Sequence, residues 1–438
     1  MKLSILIVSF LPLSFLAQSQ WVEQDCDFTN IGIGEISITS DLCAWASGRG
    51  NPWDYVLEFT RTTDGGDNWI QGVIDSCVTC GRVSHLHALN CDTAFAMTFD
   101  PVDGGGALMR TNDGGLSWDS VNTADFSDPA DFPNWVHFFN DQEGICMGDA
   151  IDGYFKIYRT TDGGQTWNRL PQANIPDTIG NEVGFTRLYD AVDGNIWFMT
   201  SEQRMFRSND FGVNWEVSEV PDIGGIQFSF RDQDHGLAIP YIGGDTLLTT
   251  IDGGETWTVN PNFLPNDDRV YSIDYAKGVG TAPGAYVVVG DTLVTYSQDG
   301  GITWKDLSRE LDFPFPATFL NVHTGWVGEP SDGISGDGIF KYVGTTLGIP
   351  NPEDVSSREE NFTLFPNPSS GNVSIESKKR STSNARVVVF DSQGRLLQKL
   401  EGLPSGSAMD LSALESGVYF VQITADDTPL QVSTLVLE

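Results

Sequence analysis

The stretch "YRTTDGGQTW", residues 158–167, decides how the chain is read, because it returns five more times. Its relatives are "TRTTDGGDNW" ending at Trp69, "MRTNDGGLSW" at Trp118, "FRSNDFGVNW" at Trp215, "TTIDGGETW" at Trp257 and "YSQDGGITW" at Trp304. The shared aspartates Asp64, Asp113, Asp162, Asp210, Asp252 and Asp299 are separated by 49, 49, 48, 42 and 47 residues. A single active site is not built six times, so the motif reads as scaffold. A calcium loop needs several more oxygen ligands at alternating positions, and here Trp follows the Asp within one turn. A period in the forties with short β-like runs is the signature of a propeller.

Each residue type in S/T-x-D-x-G-x-x-W has a mechanical task. The Asp162 carboxylate is suited to accepting backbone N–H groups of its own turn, the Thr160 hydroxyl to bonding locally, and Gly164 to the positive φ that the turn needs. Trp167 opens the next strand and buries its ring between sheets. In the third repeat "WVHFFND", "ICMGD", "YFKIYRT" and "WNRL" read as four strands separated by turns, which makes one blade. Residues 317–344 supply three strands of a seventh repeat and no motif. "WVEQ", Trp21 to Gln24, resembles the segments that follow the motifs, so the N-terminal strand is expected to complete the seventh blade and close the ring.

The predicted fold class is therefore all-β: a seven-bladed β-propeller followed by a small C-terminal β-sandwich. The expected boundaries are a signal peptide over 1–19, the propeller over 20–344, a Pro-rich charged linker over 345–360 and the sandwich over 361–438. The signal peptide is read from Lys2, the apolar run "LSILIVSFLPLSFL" and the small-x-small end at Ala17-Gln18-Ser19. No later stretch is long and apolar enough to span a bilayer.

The formal net charge is −36, and residues 21–344 hold 48 acidic against 16 basic side chains. Such a surface repels nucleic acid and anionic lipid and suits a saline exterior. Cys26, Cys43, Cys77, Cys80, Cys91 and Cys146 all lie in the first third of a chain read as exported. One to three disulfides are expected, with the pairing open, rather than a zinc site at Cys77-x-x-Cys80, which has no second ligand pair.

The repeated motif resembles the Asp-box, or BNR repeat, of bacterial sialidases, sortilin-type receptors, xyloglucanases and the plastid (Ycf48-like) photosystem II assembly factor family. In those families the box joins the third and fourth strands of a blade and stabilises it. The resemblance implies fold and not activity, because these families do unrelated things. The segments "FPNPSSG" from Phe365, "VVVFDSQGRLL" and "LESGVYFVQI" resemble the C-terminal (type A) sorting domain of type IX secretion cargo in Bacteroidetes. Pro366-Asn367-Pro368, Asp391-x-x-Gly394 and Gly417-Val418-Tyr419 stand in that family's order. The lysine common near the family's terminus is absent. This resemblance implies carriage across the outer membrane after export to the periplasm, and secretion or display at the cell surface.

If the box lies on one face, the turns between second and third strands lie on the other. Three such turns carry paired acids: Asp100 with Asp103, Asp149 with Asp152, and Glu329 with Asp332. They are the candidate ligand-binding residues, with a calcium ion or sugar hydroxyls as the natural ligand; otherwise Asp-Gly is simply good hairpin chemistry. The inner strands add Trp135, His137, His85, His87, Arg187 and Arg231. A zinc site would need a third ligand beyond the histidine pair of "SHLHAL", and no cofactor is expected. Arg61, Arg110, Arg159 and Arg207 recur beside the boxes and so belong to the scaffold.

The functional expectation is a secreted or surface propeller that binds a protein or glycan, without catalytic residues, partnered by the secretion machinery through its tail. The alternatives are an extracellular glycoside hydrolase of sialidase-like or xyloglucanase-like type and a structural surface component. The sialidase reading lacks the family's Phe/Tyr-Arg-Ile-Pro segment, and xyloglucanases resemble two propellers in tandem.

Overall fold

The computed structural model describes residues 21–437 except 27, 29–30, 51–53, 76–80, 224, 241–245, 261–268, 281, 291–293, 308–315, 330–337, 344–346, 348–361, 378–384, 391–395, 405–406, 415 and 426–427. The expected signal peptide, nearly all of the linker, Cys77, Cys80, Asp332 and the Asp391–Gly394 motif lie outside the described residues. The chain folds as two compact units, Met1–Gly348 and Ile349–Glu438.

The first unit holds seven four-stranded antiparallel sheets. Blade 1 runs Gly32–Ser40, Cys43–Arg49, Glu58–Thr62 and Trp69–Val73, in spatial order. The first strands of blades 2 to 7 are Arg82–Ala88, Pro133–Phe138, Gly184–Val192, Ile226–Phe230, Val270–Ala276 and Ala317–Asn321. Each touches the first strand of the next blade, and the seventh touches the first, so these seven are the inner strands of a closed ring. The N-terminal strand Trp21–Gln24 pairs antiparallel with Ile339–Tyr342 and becomes the fourth strand of blade 7, with Trp21 opposite Tyr342. The pairing closes the ring and covers an edge that would otherwise expose unpaired backbone groups.

All six box turns join a third to a fourth strand and share one bonding scheme. The Ser or Thr hydroxyl donates to the Asp, at 2.8 Å from Thr160 to Asp162, and accepts the second glycine's N–H, at 3.0 Å from Gly164. One carboxylate oxygen of Asp162 accepts the Thr166 N–H at 2.9 Å, and the other accepts the Thr166 hydroxyl at 2.6 Å. Thr62–Asp64–Asn68, Thr111–Asp113–Ser117, Ser208–Asp210–Asn214, Thr250–Asp252–Thr256 and Ser297–Asp299–Thr303 repeat it. The Trp167, Trp215 and Trp304 indoles donate to the carbonyl of the second glycine. Trp69, Trp118, Trp167 and Trp215 are buried between blades, while Trp257 and Trp304 are half-buried against the same packing.

The second box glycine also locks neighbouring blades together. At Gly164, with φ +78°, a Cβ would lie 2.4 Å from the Phe95 ring of blade 2, and at Gly115, with φ +85°, 2.1 Å from the Phe59 ring of blade 1. A second interlock comes from arginines on the third strands. Arg159 Nε donates to Phe211 O at 3.2 Å and Arg207 Nη1 to Asp252 O at 3.2 Å, each reaching the box turn of the following blade. Arg61 reaches Cys91 O in blade 2. Beside that contact Cys43 of blade 1 is disulfide-bonded to Cys91, with Cα atoms 5.7 Å apart. Cys26 and Cys146 are buried.

The second unit is two packed sheets. Phe362–Phe365, Asn372–Ser377 and Ala408–Asp410 form one, and Leu396–Leu403, Ala385–Phe390, Gly417–Ala425 and Thr428–Leu437 form the other. Val373, Ile375, Val387, Val389, Met409, Val421, Ile423 and Leu435 alternate along their strands and fill the core between them. The Asn367 side chain accepts the Val436 N–H at 2.9 Å, which ties the Pro-Asn-Pro segment to the last strand.

Candidate functional site

Inner strands of adjacent blades splay too far apart to pair as one sheet, so their inward N–H groups need other acceptors. Polar side chains supply them. Glu35 Oε2 accepts the Leu86 N–H at 2.9 Å and Ser37 Oγ the Ala88 N–H at 2.9 Å, from blade 1 to blade 2. His85 Nδ1 accepts from Val136 at 3.3 Å and His87 Nε2 from Phe138 at 3.2 Å, from blade 2 to blade 3. Asp149 accepts the Gly184 N–H at 2.9 Å, Asp190 accepts from Phe230, and Asp274 accepts from Phe319 at 2.6 Å. These bonds fix the histidine tautomers: the ring proton is on Nε2 of His85, 2.8 Å from Glu35 Oε1, and on Nδ1 of His87.

Together these strands enclose a central cavity of about 1050 Å³. Inner strands run from the face opposite the boxes towards the box face, so position along the strand sets depth. Arg49, at the end of the second strand of blade 1, and Arg82, at the start of the blade 2 inner strand, stand at the mouth opposite the boxes. Glu35, His85 and Tyr189 lie midway. Ser37, His87, His137, Asp190 and Asp274 lie towards the box face.

Burial sets the charge states of the lower layers. It pushes His87 well below its ordinary value, and with the charges of His85 and Lys277 it takes His137 down to about 3, so both rings are neutral. It drives Asp190 up, and it drives Asp274 up to about 7 against the Phe319 N–H that favours the anion. Tyr189 is stacked on Trp135 at 4.8 Å between ring centroids and meets the edges of His85 and His137 at 5.2 and 5.7 Å.

Blade 4 breaks the pattern. Gly184 pairs with Thr200 and Tyr189 with Phe198, so residues 185–188 face Met199 alone and bulge from the strand. Arg187 sits in this bulge at φ +65°, a conformation that a side chain with a Cβ rarely adopts. Its Nε donates to Ser84 O of blade 2 at 3.1 Å and lies 3.7 Å from Glu35 Oε2 of blade 1. The side chain therefore crosses from blade 4 towards the opposite wall. Burial, and the charges of Arg49 and Arg82 against that of Glu35, lower its pKa.

The residues expected from sequence fall into different settings. Trp135 is fully buried in the core between blades 3 and 4, whereas His137 lines the cavity. Asp100 closes its own turn by accepting the N–H groups of Val102 and Asp103 at 2.8 and 3.0 Å, and both acids lie beside Tyr55. Asp149 lies in the strand Gly144–Ile151 rather than in the turn, and Asn134 Nδ2 donates to it at 2.8 Å. Asp152 is at the turn apex with φ +60°. Glu329 links blades through its backbone, accepting from Ile33 and donating to Gly338. Arg231 lies past its inner strand, 3.1 Å from Asp232. Among the described residues no group of three or more His, Cys, Asp or Glu side chains is placed to hold a metal ion.

Family models match two parts of the chain. Residues 158–169 and 295–306 match the BNR/Asp-box repeat, and residues 363–438 match the secretion system C-terminal sorting domain. No curated protein matches the sequence. Among solved structures, YCF48 bound to D1 peptide superposes with a TM-score of 0.54 at 18% identity, covering 75% of this chain and 98% of that one. YCF48 from Cyanidioschyzon merolae gives 0.52 at 16% identity, covering 74% and 98%. The chain thus carries Asp-box repeats in a propeller fold and a sorting domain of the type IX system, which directs export to the cell surface or the extracellular space.

Proposed function

We propose that the propeller is a binding module that takes a protein or glycan ligand at the mouth of its central cavity, on the face opposite the box turns. The observation that carries this reading is the cavity itself: about 1050 Å³, with its mouth lined by Arg49, Arg82 and the bulged Arg187. On the box face each box carboxylate is engaged within its own turn. The mouth shares its face with the turns that carry Asp100, Asp103 and Asp152. A propeller of the same fold is described as bound to a peptide. In this reading residues 1–19 direct the chain to the periplasm, residues 345–360 link the propeller to the tail, and the tail engages the secretion machinery.

The test is to screen the full chain on glycan and random-peptide arrays, with and without calcium, alongside a panel of chromogenic glycosides. Saturable binding without turnover is expected. Turnover of any glycoside, or silence on both arrays, overturns the reading.

A further inference from the structure

The fourth strands of the blades form the outer rim of the ring, and in six blades they are blunted as edges. Asp119–Ser120, Asn168–Arg169 and Lys305–Asp306 have two residues each and carry charge, and Thr258–Asn260 has three residues. Glu216–Glu219 and Trp21–Gln24 are longer and carry acids. Short length and charge are the usual protection of a sheet edge against pairing with another chain. Trp69–Val73 of blade 1 has neither: it is five residues long, reads "WIQGV", and leaves Ile70 54% and Val73 49% exposed.

The register shows which backbone groups this strand leaves open. The Ile74 N–H donates to Leu57 O at 3.0 Å and continues the ladder in which Glu58 stands opposite Val73. Opposed residues of an antiparallel pair alternate between those that exchange bonds and those that do not, so Ile70 and Gly72 turn their N–H and C=O groups towards the third strand Glu58–Thr62. Gln71 and Val73 turn theirs outward, and among the described residues nothing donates to or accepts from them.

Open donors and acceptors at alternate residues of an exposed strand match the backbone of another extended chain, which repeats the same groups at the same spacing. Asp67, exposed two residues before the strand, and Glu58, beside its far end, place negative charge at both ends. A partner strand with basic ends complements them. A second copy does not: antiparallel pairing about Gln71 would set Asp67 of each against Glu58 of the other, between propellers that each hold 48 acidic and 16 basic side chains.

We propose that the outer edge of blade 1 is a docking site that takes an extended segment of a partner protein as a fifth strand, basic at its ends and β-branched between them. It lies three strands out from the cavity wall and does not depend on the binding function proposed above.

The experiment titrates the full chain with the dye-labelled peptide Lys-Thr-Val-Ile-Thr-Val-Thr-Lys and with the same peptide methylated at every backbone amide, which keeps the side chains and charge and cannot donate. Saturable binding of the first peptide alone is expected, with hydrogen exchange at the Gln71 and Val73 amides slowed at least about tenfold. Gln71→Pro removes an outward N–H at an edge position where proline breaks no inward bond, and Val73→Lys sets a like charge beside the lysine ends. Each should weaken the peptide about tenfold. Matched thermal transitions establish that the variants fold; should Gln71→Pro not fold, Val73→Lys carries the test with the backbone intact. Equal binding of the methylated peptide, unchanged affinity in the variants, unslowed exchange or no binding overturns the proposal. So does a dimer of the free chain that Val73→Lys dissolves, which would give the edge to a second copy.

Discussion

The Gln24 side-chain oxygen accepts the Trp326 indole N–H at 2.9 Å across 302 residues of sequence, and accepts the Trp69 indole at 3.3 Å as well. One amide thus satisfies indoles on blades 1 and 7 at the seam where the ring closes. Gln24→Ala leaves two indole donors without this acceptor and should cost about 2–3 kcal/mol. Removing residues 21–26 also uncovers the Ile339–Tyr342 edge and should lower the thermal transition further. Calorimetry of the two variants checks this; a truncated chain that melts like the wild type would show that the seam does not hold the ring.

Gly164 tests the interlock between blades. An alanine there meets both the positive φ and the Phe95 ring, so Gly164→Ala should lose about 2–4 kcal/mol. Gly153, at φ +86°, has no atom within 4 Å of an added Cβ, and its alanine variant should lose only about 1 kcal/mol. Denaturant titration of the pair separates backbone strain from overlap, and equal losses would remove the interlock.

Acid should unfold the propeller through its boxes. The Asn68, Ser117 and Thr166 side chains, with the backbone N–H groups of the same residues, hold Asp64, Asp113 and Asp162 down to about 2 from an ordinary 3.8. A lowered carboxylate pKa stabilises the fold fully above the unfolded value, and that stability is lost as pH falls towards the folded value. Thermal melts should therefore drop steeply from about pH 4 to about pH 2. Asp162→Asn should be less stable at neutral pH and show a shallower acid slope; an unchanged slope contradicts the assignment.

Asp274 works in the opposite sense. Burial raises its folded pKa to about 7, so between the ordinary 3.8 and that value the folded state binds more protons than the unfolded one. Stability should decline as pH rises through this window. Asp274→Asn should flatten the decline while leaving the acid limb in place, as seen in melts at closely spaced pH values.

The blades were legible because the box repeats, and a turn that satisfies itself leaves the same residues at the same spacing each time. The seam was legible for a related reason: "WVEQ" looks like a fourth strand that lacks its first three. The mouth was not legible in this way. Arg49 and Arg82 are ordinary strand-end residues until the ring folds, and nothing in "GFTRLYDAV" marks the four-residue bulge that turns Arg187 inward. Asp149 shows the converse. In "GDAIDG" it looks like half of a pair in a turn, but the second strand continues through it and a register shift after Gly148 lets it serve Asn134 and Gly184.

The seam also sets a timetable. Trp21 precedes the six complete blades along the chain and pairs with Tyr342 beyond them, so six blades can stack while the ring stays open. The first and last strands of the propeller therefore stay apart until Ile339–Tyr342 is in place. Its final hydrogen bonds report that the whole ring has arrived.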